Sequence, residues 1–165
     1  MPIAPNTTFV SGAILTAAQM NALPWGVVAF AEASTNLTFS STETLSITAS
    51  TFTAVTGRYY RVTYFEPQLP QVQNNNTVTQ SLKITNTAGT RLSATVYTNT
   101  TAVAGATNSA TLVWVGTLTA GSTVLIGSLT SPGASVSASR SATLLAQIIV
   151  EDSGPSGLSQ THQKH

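Results

Sequence analysis

The sequence has no cysteine, which excludes disulfides, thiolate nucleophiles and cysteine-ligated zinc. Charge is almost as scarce. Six Lys+Arg and five Asp+Glu make up 7% of 165 residues, where an ordinary soluble domain carries about 25%. The basic residues ahead of the tail, Arg58, Arg61, Lys83, Arg91 and Arg140, are scattered, so no basic patch can form and nucleic acid is not an expected partner. Long apolar runs are missing too. Leu144 to Val150 is interrupted by Gln147 and falls far short of the ~18 residues that a membrane-spanning helix needs. The amino terminus shows neither a charged n-region nor a continuous apolar h-region, so no export signal is expected. Histidine is confined to His162 and His165, no glycine-rich phosphate loop occurs, and a positioned catalytic triad has no material to be built from.

Hydroxyls take the place of charge. The chain holds 29 Thr and 19 Ser, enough to make a surface polar without ions. At the same time 42% of residues are hydrophobic, and a chain of this length buries roughly 70% of its unfolded surface in a single domain, so a folded core is expected rather than disorder.

Three regions follow from the patterning. Residues 1–24 form an arm: Pro2, Pro5 and Gly12 break any periodicity, then Thr16-Ala17-Ala18-Gln19 makes a capping box and Met20 and Leu23 share a face before Pro24 stops the chain, which predicts a short helix over 16–23. Residues 25–152 are rich in Thr, Val, Ile and Tyr, with turn residues recurring every 8 to 15 positions. Eight or nine strands without intervening helices predict an all-β fold, an antiparallel two-sheet sandwich of the jelly-roll type. Residues 153–165 lack core residues and read as a polar tail.

Leu45 and Ile47, and Leu92, Ala94 and Val96, alternate with polar neighbours, so those strands have one wet face. Tyr60, Val62 and Tyr64 share one face of their strand and Tyr59, Arg61, Thr63 and Phe65 the other. The last three strands are apolar on both sides. Ala110, Leu112, Trp114 and Leu118 oppose Val113 and Val115; Val124 and Ile126 oppose Leu125 and Leu129; Leu144, Ala146, Ile148 and Val150 oppose Leu145 and Ile149. Strands of this type are covered twice, and with no crossover helix to do it the second cover is expected to be another copy of the chain. Val113, Val115, Leu125, Leu129, Leu145 and Ile149 are therefore the candidate subunit-interface residues.

Little in the chain serves catalysis. Glu151 and Asp152 are adjacent at a strand end and point to opposite faces, as solvated end charges or a weak calcium site; Glu32, Glu43 and Glu66 read as isolated, and Lys83 as a lone surface lysine. No enzyme activity, cofactor or metal is expected. Tyr59, Tyr60, Tyr64 and Phe65 with Arg58 and Arg61 are either half core and half subunit contact or a surface on which sugar rings could stack. The segment containing Asn74, Asn75 and Asn76 is either a connector or an exposed binding loop, and with Tyr59 and Arg61 those asparagines are the candidate glycan-binding residues.

The stretch Ile14-Leu15-Thr16-Ala17-Ala18-Gln19-Met20-Asn21-Ala22-Leu23-Pro24-Trp25-Gly26-Val27-Val28 resembles the amino-terminal segment of small virion proteins of tailed bacteriophages, particularly those of actinobacteria. In that family it precedes a Thr/Ser-rich β domain closing on a sequence similar to Ile149-Val150-Glu151-Asp152-Ser153-Gly154-Pro155 here. The resemblance implies a capsid decoration, head-fibre or minor tail protein with no catalytic residues, often a trimeric jelly roll similar to the tumour-necrosis-factor fold. On that basis the expected function is a homotrimeric decoration protein on the capsid surface, assembled in the host cytoplasm. Its arm would grip the major capsid protein or another virion protein through Ile14, Leu15, Met20, Leu23 and Trp25. The alternative is a tail-tip or tail-fibre module that binds a host surface glycan.

Overall fold

The computed structural model describes residues 23–70, 77–98, 107–133 and 135–156. Among these residues there is no helix, and the strands run β1 (Gly26–Ala33), β2 (Leu37–Phe39), β3 (Thr44–Thr48), β4 (Phe52–Ala54), β5 (Arg58–Pro70), β6 (Thr77–Ile84), β7 (Arg91–Thr98), β8 (Thr107–Thr117), β9 (Gly121–Thr123), β10 (Leu125–Thr130), β11 (Val136–Ala138) and β12 (Ala146–Pro155). The all-β expectation holds. Two antiparallel four-stranded sheets, ordered β1-β12-β5-β8 and β3-β10-β6-β7, are accompanied by the two-stranded ribbons β11-β2 and β4-β9. This arrangement is compatible with a β-sandwich.

Alternation explains which side of each strand is buried. On β5, Tyr60, Val62, Tyr64 and Glu66 are buried while Tyr59, Thr63 and Phe65 are half-buried and Arg61 is exposed. On β12, Ala146, Ile148, Val150 and Asp152 turn inward. Of these, Tyr60, Val62, Tyr64, Ile148 and Val150 meet Ile47, Leu82 and Leu125 of the other sheet in one core, each large apolar side chain contributing about 1.5–3 kcal/mol by leaving water. A second cluster at one end joins Phe39, Leu69, Val78, Ala110, Leu129 and Ala138. The sheets meet tightly at Gly127, where a Cβ would stand 2.6 Å from the Tyr64 ring; only glycine lets the ring lie against β10.

Several boundaries differ from expectation for local reasons. β5 continues through Pro67 to Pro70, because the register shifts between Glu66 and Leu69 and a proline is tolerated where a ladder amide is not required. A further short strand, β11, lies between β10 and β12. β12 begins at Ala146 and runs to Pro155, past Asp152, leaving Leu144 to close a turn with Ser141 and Leu145 to link that turn to the strand. The helix expected over 16–23 lies outside the described residues apart from Leu23, which sits in a bend before Pro24.

The expectation that Leu125 and Leu129 face a second copy is corrected. Both are 0% exposed and point into the protein's own core, Leu125 in the cluster with Tyr64 and Leu129 in the cluster with Phe39. β10 is apolar on both sides, and the hydrophobic pattern alone could not say which side meets the opposite sheet.

Candidate interaction face

The outer surface of β1-β12-β5-β8 carries four of the eight exposed large hydrophobic side chains among the described residues. Register sets its rows. Phe30, Ile149, Thr63 and Val113 lie side by side across the four strands; Val27, Glu151, Arg61 and Val115 form the next row; Glu32, Gln147, Phe65 and Thr111 form a third. Residues directly opposite on neighbouring strands share a face, so these rows make one surface. Val27 is 60% exposed, Phe30 42%, Val113 45% and Val115 56%, with Ile149 and Phe65 half-buried beside them. Four strands spaced ~4.8 Å apart, with about ten residues rising ~3.3 Å each, cover on the order of 600 Å². A standard interface buries ~800 Å² per partner, so the face is of the right order for a protein contact.

Polar groups interrupt this face on its two middle strands, β12 and β5. The Arg61 guanidinium stands 3.8 Å from Glu151, both well exposed, and contributes little in water. Gln147 Nε2 donates to Glu32 Oε1 at 2.7 Å on the opposite side. Three of the six proposed interface residues, Val113, Val115 and Ile149, thus share the outer face, and Leu145 lies half-buried just before β12. Tyr59 and Arg61 belong to the same face, while Asn74, Asn75 and Asn76 lie outside the described residues.

The base of the arm is a second built feature. Arg58 opens β5 and is buried; its Nε donates to Asp152 Oδ2 at 2.5 Å and its Nη2 to Asp152 Oδ1 at 2.7 Å. Nη2 also donates to the Leu23 carbonyl at 2.6 Å, and the guanidinium lies 4.2 Å from the centroid of the Trp25 ring. One side chain therefore ties β12 to the residues that lead into β1. The Ser156 amide donates to the Gly57 carbonyl at 2.5 Å, so the described chain enters and leaves the domain at one end of the sheet. Trp25 itself is half exposed and lines an open cleft of about 430 Å³ with Val55, Thr56, Gly57, Arg58 and Pro155. Of the expected anchoring residues, Leu23 and Trp25 are held here; Ile14, Leu15 and Met20 lie outside the described residues.

Sequence reading missed the ion pairs. Glu66, taken as isolated, is fully buried against Arg140, whose Nη2 lies 2.6 Å from Oε1 and whose Nε lies 3.1 Å from Oε2. Tyr64 and Ser46 donate to the same Oε1 at 2.5 Å each. Arg140 also donates to the carbonyls of Thr35 and Ser46. Burial pushes the Tyr64 phenol well above its ordinary value of 10.0, and the neighbouring Glu66 carboxylate pushes it further, so the hydroxyl stays a donor. Lys83, taken as a lone surface lysine, is buried and donates to Glu43 at 2.5 Å and to the Thr87 carbonyl. Partial burial opposes ionisation of Glu43. Hydrogen bonds from Lys83 and Ser128, with the charges of Lys83 and Arg91, outweigh it and hold the carboxyl below its usual range. The only sequence signal for these pairs was the rarity of charge itself, since the partners are separated by 40 to 94 residues.

Among the described residues no group of three or more His, Asp or Glu side chains is placed to hold a metal ion. A scan against protein-family models finds no matching family, and no curated protein matches the chain.

Proposed function

We propose that the chain is a structural protein of a tailed-phage particle, a capsid decoration protein whose copies pack on one another through the outer face of β1-β12-β5-β8 and attach to the shell through residues 1–24. The observation that carries this reading is the outer face of this sheet: Val27 and Phe30 on one edge strand and Val113 and Val115 on the other are 42 to 60% exposed, and exposed large apolar side chains gathered on one sheet face mark a contact surface. The strand order supports a jelly roll. With the eight principal strands taken in chain order, one sheet reads first, eighth, third, sixth and the other second, seventh, fourth, fifth, as two nested Greek keys require. The Arg58 clasp supports the arm as an anchor, because a tether can hold a domain on a shell only if its root is fixed. The resemblance of the segment around Leu23-Pro24-Trp25 supplies the virion context and the three-fold arrangement of copies.

Phage heads assembled without the protein test this directly. They should take up the full-length chain to saturation, whereas a variant lacking residues 1–24 should fold and self-associate yet leave the heads bare. Uptake of the truncated variant would refute attachment through the arm, and labelling of tails instead of heads by an antibody would move the protein off the capsid.

A further inference from the structure

We propose that β8 is a pairing edge, along which a second copy of this chain adds its own β8 antiparallel about a two-fold axis through Trp114. Sheet edges expose unpaired amides and carbonyls, and folded proteins protect them with bulges, charges, short strands or covering groups. The other edges carry such devices. Ser50 covers β1, donating its amide to the Phe30 carbonyl and accepting the Phe30 amide on its hydroxyl, and β1 is also bulged and bears Glu32. β3 has five residues, and Arg140 caps its Ser46 carbonyl. β7 starts at the charged Arg91, beside a register shift.

Among the described residues, β8 carries none of these devices along its central run. It has 11 residues, contains neither charge nor proline, and keeps unbroken register with β5 from Thr117 to Ala110. The Phe30 amide and carbonyl turn to Ser50, away from β12, so by register Ile149 and Thr63 bond each other, Tyr64 bonds Leu112, and the Thr111 amide and carbonyl point away from β5. Alternation then turns the amides and carbonyls of Val113 and Val115 the same way.

The occupant follows from the sequence of the edge. Thr111-Leu112-Val113-Trp114-Val115-Gly116-Thr117 reads nearly the same in both directions about Trp114. An isologous contact requires that kind of self-match. With the axis at Trp114, each Val113 faces the other copy's Val115 and exchanges a pair of main-chain hydrogen bonds with it. Their side chains extend the apolar outer face across the junction, and β-branched pairs suit such a position. On the other side of the sheet the two Trp114 residues face each other. Each ring lies over its own Gly116, where a Cβ would stand 2.3 Å from the indole, so the Leu112–Gly116 match adds no bulk beside the rings. The register shift between Glu66 and Leu69, just beyond Ala110, ends the regular edge. This pairing is independent of the virion reading, and of packing through the sheet face.

Amide exchange on the full-length chain, at a concentration where light scattering shows assembly and again after dilution to monomer, tests the pairing. The Val113 and Val115 amides should exchange at least about tenfold more slowly in the assembly and lose that protection on dilution, while Leu112 and Trp114, bonded to β5, stay protected throughout. Equal rates for Val113 and Val115 at both concentrations would overturn the proposal, whether fast, as for an open edge, or slow, as for an edge covered within one chain. Val115→Pro removes one outward amide without touching the β5 ladder and should weaken self-association by about 100-fold. A folded Val115→Pro protein that associates as tightly as the parent would also overturn it. Ile149→Lys, in the middle of the sheet, reads packing through the face, so the two contacts can fail separately.

Discussion

The interior around Glu66 and the outer face around Val113 reverse the usual distribution of polarity. Inside, between the sheets, a carboxylate and a guanidinium are fully or nearly fully buried with Tyr64 and Ser46. Outside, Val27, Phe30, Val113 and Val115 meet solvent in the single chain. The difference teaches what the few charges are for. Four of the five acidic residues sit in ion pairs, three of them involving a buried Arg or Lys, so charge pins strands and loops together, and Thr and Ser are left to wet the surface.

Breaking the interior side of this contrast should have the largest effect. Glu66→Gln keeps the shape but leaves Arg140 as an uncompensated buried cation, which should cost about 3–5 kcal/mol in chemical denaturation. Glu66→Leu combined with Arg140→Met should recover part of that loss, since it removes both charges. A double variant no more stable than Glu66→Gln would mean that the network's remaining bonds, not the charge balance, hold the β11–β12 connection.

The Arg58 clasp ranks next. Lysine keeps the charge of Arg58→Lys but cannot grip both Asp152 oxygens, reach the Leu23 carbonyl and stack on Trp25 at once. The expected cost is about 1–3 kcal/mol, with a shift in Trp25 emission as the ring loses its cation. A cost without that shift would place the loss at Asp152 alone.

These two networks also show what could be read from the chain. The alternation on β5, β8 and β12 was legible, because a half-buried strand writes its faces into every second residue: Tyr60, Val62 and Tyr64 inward, Val113, Val115 and Ile149 outward. β10 was not legible. Leu125-Ile126-Gly127-Ser128-Leu129 is buried on both sides, and what distinguishes them is the Tyr64 ring against Gly127, a contact made by another strand. The ion pairs were hidden for a similar reason: Arg140 and Glu66 are 74 residues apart and Arg58 and Asp152 94 apart, and no local pattern announces a partner at that distance.

Glu43 lies between the two extremes, partly buried on the rim of β3. Its folded carboxyl titrates below the ordinary 4.5, so its contribution to stability is fully present above that value and is lost as pH falls through the folded one. The stability gap between the parent and Glu43→Gln should therefore be constant from neutral pH down to about 5 and close below it, as read from denaturation midpoints. A gap unchanged at pH 3 would show that Glu43 acts through packing rather than through its charge.

The smallest effect on the folded chain is expected at the outer face, and that is what makes it informative. Val113→Thr with Val115→Thr keeps β-branching and strand propensity at two exposed positions, so monomer stability should stay within about 0.5 kcal/mol of the parent. Self-association should nonetheless weaken, because the hydrocarbon that the two copies would cover has been replaced by hydroxyls that retain water. In the parent, the same contact should hold in moderate salt, where screening removes surface charge effects but leaves apolar burial intact. Sedimentation of parent and variant at low and moderate salt separates the cases. If salt dissociates the parent while the threonine pair does not, the Arg61–Glu151 pair in the middle of the sheet, and not the exposed valines, holds the copies together.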